Sequence, residues 1–411
     1  MRFRPTRALS GLMVTVALAG SGSQPMQGQA PTPVVSEAER QTVVEAARRL
    51  TLAGLADALR DAEAGNIDAQ VLVGQAYLHG GTVGEDPATA VDWLQKAAAA
   101  GRPMAQNSLG VSYLTGHGVP RDDGQAINWL RKAADQGFAQ TIYNIGLLHT
   151  SGRGVSQDLE AAIRLWMVAA EQGNPDAQTG LGEVCEAGAG RPKDMSAAVE
   201  WYRKAAIQGH ANAQTHLAFM YVAGRGVGKN LSEAVTWFRA AADQGHDAAQ
   251  FNLAIAYIRG EGVPKDKKKG AEWLKRASDG GHAAATCLLG QMYWRKDVKD
   301  SLGMEAFVGL ELFKKSAAQG YALGAVAVGD IYSAERNYPG ACTWLVIARE
   351  LEKTDGWQQE WAKSRPFDAA EVRTRVPELF SQVRKKLSPQ QLADCEEAAA
   401  RWLSAQGVDR P

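Results

Sequence analysis

With 411 residues, the chain is long enough for two or three ordinary domains. Its 45 basic residues are balanced by 45 acidic ones, so it lacks the positive footprint of a nucleic-acid binder. Charged residues make up 22% of the chain and run through its whole length, which excludes a membrane-embedded protein.

Residues 1–30 read as a signal peptide and flexible leader. Arg2, Arg4 and Arg7 form a positive start, and Ala8 to Gly20 is an apolar run too short to span a bilayer. Ala17-Leu18-Ala19 offers a small-residue cleavage site. Leu18-Ala19-Gly20 resembles the start of a lipoprotein signal, but Ser21 stands where the lipidated cysteine belongs. The pattern predicts a soluble bacterial protein, periplasmic or secreted; a disordered cytosolic tail is the alternative. Residues 36–64 are predicted N-terminal capping helices. Ser36 caps the first, Glu37 and Glu39 lie in its first turn, and Leu50, Leu55 and Leu59 are apolar.

From 66 to 348 the chain repeats. A closing glycine falls at Gly65, Gly101, Gly137, Gly173, Gly209, Gly245 and Gly281, a step of 36, and again at Gly320. Such a period means stacked units, none of which buries its apolar face alone. Each unit reads as two helices. The first carries small and apolar residues on one stripe, as in Ala69, Val73, Gly74, Tyr77 and Ala213, Leu217, Ala218, Tyr221. A turn follows, with paired glycines such as Gly116/Gly118 and Gly152/Gly154, placed to end a helix in the left-handed region. Asp86, Asp122, Asp158, Asp194, Asn230 and Asp266 then form a ladder of predicted N-caps, with Asn230 and Glu233 matching a capping box. The second helix pairs a small residue with a tryptophan three positions on: Ala90/Trp93, Ala126/Trp129, Ala198/Trp201, Ala234/Trp237 and Gly270/Trp273. These tryptophans are expected in the core. In the third unit Leu165 takes that slot, Trp166 follows it, and Ala139-Gln140 is displaced by two residues, so a local irregularity is expected there. After Tyr293 the loop Trp294-Arg295-Lys296-Asp297-Val298 lacks the paired glycines, and the last two of about eight units are degenerate.

From 349 to 411 the period stops and a helical cap is predicted. Asp368 and Glu371 suggest a capping box, Val372, Val376, Leu379, Val383 and Leu387 an apolar stripe kinked at Pro377, and Ser388-Pro389-Gln390-Gln391 a helix start. Trp357 and Trp361 could instead form a docking surface. Cys185, Cys287, Cys342 and Cys395 show no C-x-x-C. Spacing alone leaves a Cys342–Cys395 disulfide open.

The recurring pattern A-Q-x-x-L-G-x-x-Y-x-x-G-x-G-V…D-x-x-x-A-x-x-W-x-x-K-A-A-x-Q-G resembles the Sel1-like repeat, a relative of the tetratricopeptide repeat. The Leu387-Ser388-Pro389-Gln390-Gln391…Arg401-Trp402 ending is similar to the terminal helix of exported bacterial members. The resemblance implies an all-α, right-handed helix–turn–helix solenoid with helical caps. It also implies that first helices line a concave face that binds other proteins. On that face the residues before the leucine slot, Ser108, Asn144, His216 and Asn252, are the expected partner-binding positions.

No Ser-x-x-Lys, Gly-x-Ser-x-Gly or His-Glu-x-x-His occurs, so no catalytic, cofactor or metal residue is assigned. Gly224-Arg225-Gly226-Val227-Gly228-Lys229 lacks the spacing of a phosphate loop and falls on a repeat turn. His210, His246 and His282 each follow a closing glycine. One repeat step, about 10 Å for packed helices, is too far for a shared ion, so turn capping is expected. The leading expectation is an exported, non-enzymatic scaffold for protein partners of the cell envelope. The alternatives are a hydrolase of cell-wall or β-lactam substrates and a carbohydrate-binding envelope protein.

Overall fold

The computed structural model describes residues 37–80, 83–295, 306–352 and 369–407. The signal segment, the Ser36 cap, Lys296 to Val298, Trp357, Trp361 and the Asp368 cap lie outside them. Among the described residues the chain is all-α, with no strand. A first helical pair, α1 (Glu37–Arg48) and α2 (Leu52–Glu63), precedes the repeats. The first helices of successive units are α3 (Ile67–His79), α5 (Pro103–Thr115), α7 (Ala139–Ser151), α9 (Pro175–Ala187), α11 (Ala211–Ala223), α13 (Asp247–Arg259), α15 (Ala283–Trp294) and α17 (Ala322–Ala334). The second helices are α4 (Pro87–Ala99), α6 (Asp123–Ala134), α8 (Leu159–Glu171), α10 (Met195–Ile207), α12 (Leu231–Asp243), α14 (Lys267–Asp279), α16 (Ala306–Ala318) and α18 (Tyr338–Glu352). After them come α19 (Ala369–Arg384), which runs on through Pro377, and α20 (Pro389–Ala405). The chain divides into two compact units. Unit one takes the residues up to Ala213 with Arg225–Val227; unit two takes Gln214–Gly224 and everything from Gly228 on.

The second helices start where the sequence places short polar side chains, whereas α5, α7 and α17 follow Arg102, Phe138 and Tyr321, which make no side-chain cap bond. Asp86, Asp122, Asp158, Asp194, Asn230 and Asp266 each accept a backbone N–H of the following first turn. The Asn230 box is only half formed, because the Glu233 carboxylate accepts from Trp237 Nε1 at 3.0 Å instead of reaching back. A reciprocal box does form at Ser388 and Gln391. The paired turn glycines have different jobs. Gly116 caps α5 in the left-handed conformation. Gly118 also has positive φ, and a Cβ on it would lie 2.1 Å from Pro87 O in the preceding unit. Bare backbone is therefore what lets neighbouring units touch at this turn.

Within each unit the core lies one residue away from the expected slot. Trp93, Trp129, Trp201, Trp237 and Trp273 are half-buried. The residue after each, Leu94, Leu130, Tyr202, Phe238 and Leu274, is buried. A helix turns about 100° per residue, so the side chain that meets the first helix head-on is the next one along. Its partner is the small first-helix residue. A Cβ on Gly74, Gly110, Gly146 or Gly182 would lie 2.8, 2.7, 2.3 or 2.5 Å from Leu94, Leu130, Trp166 or Tyr202. Trp166, out of phase with the other tryptophans, is thus the one that fills the core slot, and its Nε1 donates to Tyr143 O at 3.2 Å. The half-buried rings are covered by cations three residues on. Lys96, Lys132, Lys204 and Arg276 stand 3.8, 4.0, 4.1 and 4.4 Å from the centroids of Trp93, Trp129, Trp201 and Trp273.

Glutamine amides join one unit to the next. Gln106 Nε2 donates to Ala98 O at 3.2 Å, and Gln136 Nε2 donates to Gln106 Oε1 at 2.8 Å. The same relay runs from Gln208 to Gln178 to Ala170 O. Gln70 Nε2 donates to Ala62 O in the same manner, so α2 takes the place of a second helix beneath α3. In unit two, Cys342 of α18 and Cys395 of α20 are joined by a disulfide with Cα atoms 5.9 Å apart, inside the usual range. Trp344 and Trp402 meet edge to face beside it, at 5.3 Å.

Candidate functional site: the first-helix face

Adjacent first helices are held together by polar side chains that sit on an otherwise apolar surface. In unit one Gln75 Nε2 of α3 donates to Ser108 Oγ of α5 at 2.6 Å. Asn107 Oδ1 of α5 accepts from both Thr141 Oγ1 and Asn144 Nδ2 of α7, each at 2.9 Å. Gln140 Oε1 accepts from Asn174 Nδ2 at 3.1 Å. A buried polar group left without a partner costs about 1–3 kcal/mol, so these bonds fix the spacing and register of the helices that carry them.

The four expected partner-binding residues are placed unequally. Ser108 is buried and serves Gln75. Asn144 is half-buried and bridges to Asn107. His216 on α11 and Asn252 on α13 are half-buried in unit two, and Asn252 Nδ2 donates to Ala248 O at 2.7 Å. Asn144 thus joins the α5–α7 bridge, whereas Ser108 belongs to the α3–α5 bridge. Gln75, Asn107 and Thr141 were not singled out from the sequence. For Gln75 a signal was available, a polar residue between two small ones in Gly74-Gln75-Ala76; Asn107 and Thr141 stand beside other polar residues, Gln106 and Ser108 or Gln140, and carried none.

The histidine ladder caps helices. Nδ1 of His246 and His282 accepts the amides of Ala249 and Ala285 at 3.2 and 3.0 Å. His210 adds an Asp–His–Thr arrangement. Its Nε2 lies 3.1 Å from Asp176 Oδ1, and its Nδ1 lies 2.9 Å from Thr179 Oγ1. The Thr179 hydroxyl is buried and within 2.7 Å of Pro175 O, and His210 Nδ1 also takes the Ala213 amide at 3.4 Å. The trio is a cap and a tie to α9, and its hydroxyl is committed to Pro175 O. Burial holds the His282 pKa down at about 4 and pushes the Cys287 thiol up to about 12. Hydrogen bonds from Arg121 and then Arg153 hold Asp123 at about 2. Arg153 thereby ties its turn to the preceding unit, where it also donates to Leu114 O at 2.7 Å. Arg225, in the glycine-rich turn Gly224–Lys229, pairs with Glu186 at 3.2 Å. Among the described residues no group of three His, Cys, Asp or Glu could hold a metal, and no helix is long and apolar enough to cross a membrane.

The family model described as Sel1 repeat matches residues 67–101, 103–138, 139–174, 175–210, 211–246, 247–282 and 308–321. A protective antigen present in uropathogenic Escherichia coli strains, displaying an SLR fold, is similar in structure, with a TM-score of 0.54 and 24% identity over 85% of this chain and 94% of that one. A Sel1 repeat protein from Oxalobacter formigenes is 35% identical over 50% of this chain and 84% of its own, with a TM-score of 0.47. An immunity protein from Pseudomonas aeruginosa gives 23% identity, 52% and 81% coverage, and a TM-score of 0.39. The comparison with curated proteins gives no match.

Proposed function

Since the chain belongs to the Sel1 repeat family, whose members generally mediate protein–protein interactions without catalysis, we propose that it is an exported scaffold for protein partners of the cell envelope. The observation that supports export is the Cys342–Cys395 disulfide, because such bonds persist in oxidising compartments such as the periplasm. Binding runs along the first-helix face of each unit. The recurrent residues there are committed to caps, turns and core contacts, whereas Asn144, His216 and Asn252 differ from unit to unit and keep part of their surface in water. Ser108, being buried, acts through the spacing of α3 and α5.

The test is affinity capture from an envelope extract of the native host, comparing the wild type with a variant carrying Asn144→Ala, His216→Ala and Asn252→Ala. Interface energy concentrates in few residues, so the variant should retain its helical content and lose capture by roughly tenfold or more. Undiminished capture by the folded variant would remove the first-helix face from the reading. N-terminal sequencing of the native protein tests export: a start between residues 20 and 31 agrees with it, and an intact Met1 in the cytosol contradicts it.

A further inference from the structure

The junction between two of the first helices carries an open pocket. Between α15 and α17 of unit two lies a cavity of about 200 Å³, walled by Cys287 and Trp294 of α15, Phe313 of α16, and Val326 and Ile331 of α17. The sequence explains the space. One unit earlier, the position equivalent to Cys287 is Phe251, which is buried and stacks on His282 with centroids 4.7 Å apart. A cysteine in place of that phenylalanine leaves room for about one ring. Apolar cavities of about 150 Å³ take up benzene, so the volume suits a phenyl group. The mouth is exposed and aromatic. Trp294 is 40% exposed, and its backbone packs against Gly309, where a Cβ would stand 3.2 Å from Trp294 N. Beside it, exposed Arg295 makes no side-chain hydrogen bond or ion pair among the described residues, and Asp330 at the same mouth has an interaction of its own.

From this arrangement we infer that the α15–α17 cavity receives a phenylalanine-like side chain of a partner protein, flanked by an acidic residue that pairs with Arg295. The ring supplies the apolar area that Phe251 supplies one unit earlier. The acidic neighbour matches Arg295, whose side chain has no partner among the described residues, while Asp330 at the same mouth is engaged in an interaction of its own. The inference rests on the protein-binding reading and narrows it to a peptide chemistry.

Calorimetric titration of the full chain with a capped Gly-Ser-Gly-Asp-Phe-Gly-Ser-Gly peptide tests it. Replacing the peptide phenylalanine by alanine should raise Kd about tenfold or more, and replacing its aspartate by asparagine about threefold, the scale of anchor and rim contacts. Cys287→Phe, which fills the cavity, should abolish binding. Arg295→Gln, at an exposed site that leaves packing untouched, should erase the aspartate preference and keep the phenylalanine preference. Absence of binding at millimolar peptide, equal binding by folded Cys287→Phe, or an aspartate preference that survives Arg295→Gln overturns the inference. Envelope capture separates the two levels. Partner capture that Cys287→Phe leaves intact rejects the pocket alone, and absence of any partner rejects the scaffold reading as well.

Discussion

The third unit offers a test in which one substitution has opposite effects at two equivalent places. Gln136 and Gln172 occupy the same position before a closing glycine. Gln136 Nε2 donates to Gln106 Oε1, and Gln106 is 4% exposed. Thirty residues before Gln172 stands Ile142, because the displacement of Ala139-Gln140 moved the glutamine out of phase. Both amide atoms of Gln172 are accordingly buried without a hydrogen-bond partner. Methionine keeps the length and shape of glutamine and removes the amide. At 136 it strips the donor from the buried Gln106 oxygen, a loss of about 1–2 kcal/mol; at 172 it relieves an orphaned amide, a gain of about 1 kcal/mol. Ile142→Gln gives Gln172 the acceptor it lacks, so a double-mutant cycle between 142 and 172 should show favourable coupling of about 1 kcal/mol or more. Hydrogen exchange of the α8 and α9 amides reads the effect locally, which suits a stacked array that need not unfold in one step. Equal destabilisation by Gln136→Met and Gln172→Met, or no coupling between 142 and 172, would refute the amide-relay account.

Three further outcomes follow from packing, covalent topology and charge. Gly101→Ala and Gly118→Ala both place alanine at positive φ, at about 1–2 kcal/mol. Only Gly118 has backbone in the way of the new methyl, so its variant should lose about 1–3 kcal/mol more in denaturant unfolding; equal losses would mean the units do not touch there. Cys395→Ser opens a cross-link spanning 53 residues, for which chain entropy gives about 4 kcal/mol; the α18–α20 amides should exchange faster, while those of unit one stay unchanged. His282 has a folded pKa of about 4 against 6.5 in the unfolded chain. Between those values the unfolded state binds the extra proton. The contribution is therefore complete above about pH 6.5 and falls away as pH drops to 4, by on the order of 3 kcal/mol. His282→Asn keeps the kind of cap that Asn174 supplies in another unit and should flatten that acid limb; an unchanged acid limb would show that His282 does not cause it.

What could be read from the sequence and what could not divide along a physical line. Asp158 and Gly116 act through their own backbone neighbours, so type and spacing alone give the cap and the turn. Trp129 and Leu130 are both large and apolar, and only the position of Gly110 on the facing helix decides which of them is core. Register between elements is a tertiary property, and an expectation drawn from size alone chose the wrong neighbour by one residue. The site was harder for a related reason. Ser108 and Asn144 were selected as polar residues at one repeating position, as though a shared phase implied a shared surroundings. Their partners, Gln75 and Asn107, lie 33 and 37 residues away, on either side of the 36-residue period, so neither pairing lies in phase with the repeat. Departures from the period mark where a unit has become individual. Ile142 breaks the amide relay, and Cys287 empties a space that Phe251 fills one unit earlier. In an array whose repeated residues hold the helices together, what makes one unit differ from the next lies in residues that break the repeat, and Cys287, where the preceding unit carries Phe251, is one that lines an open pocket.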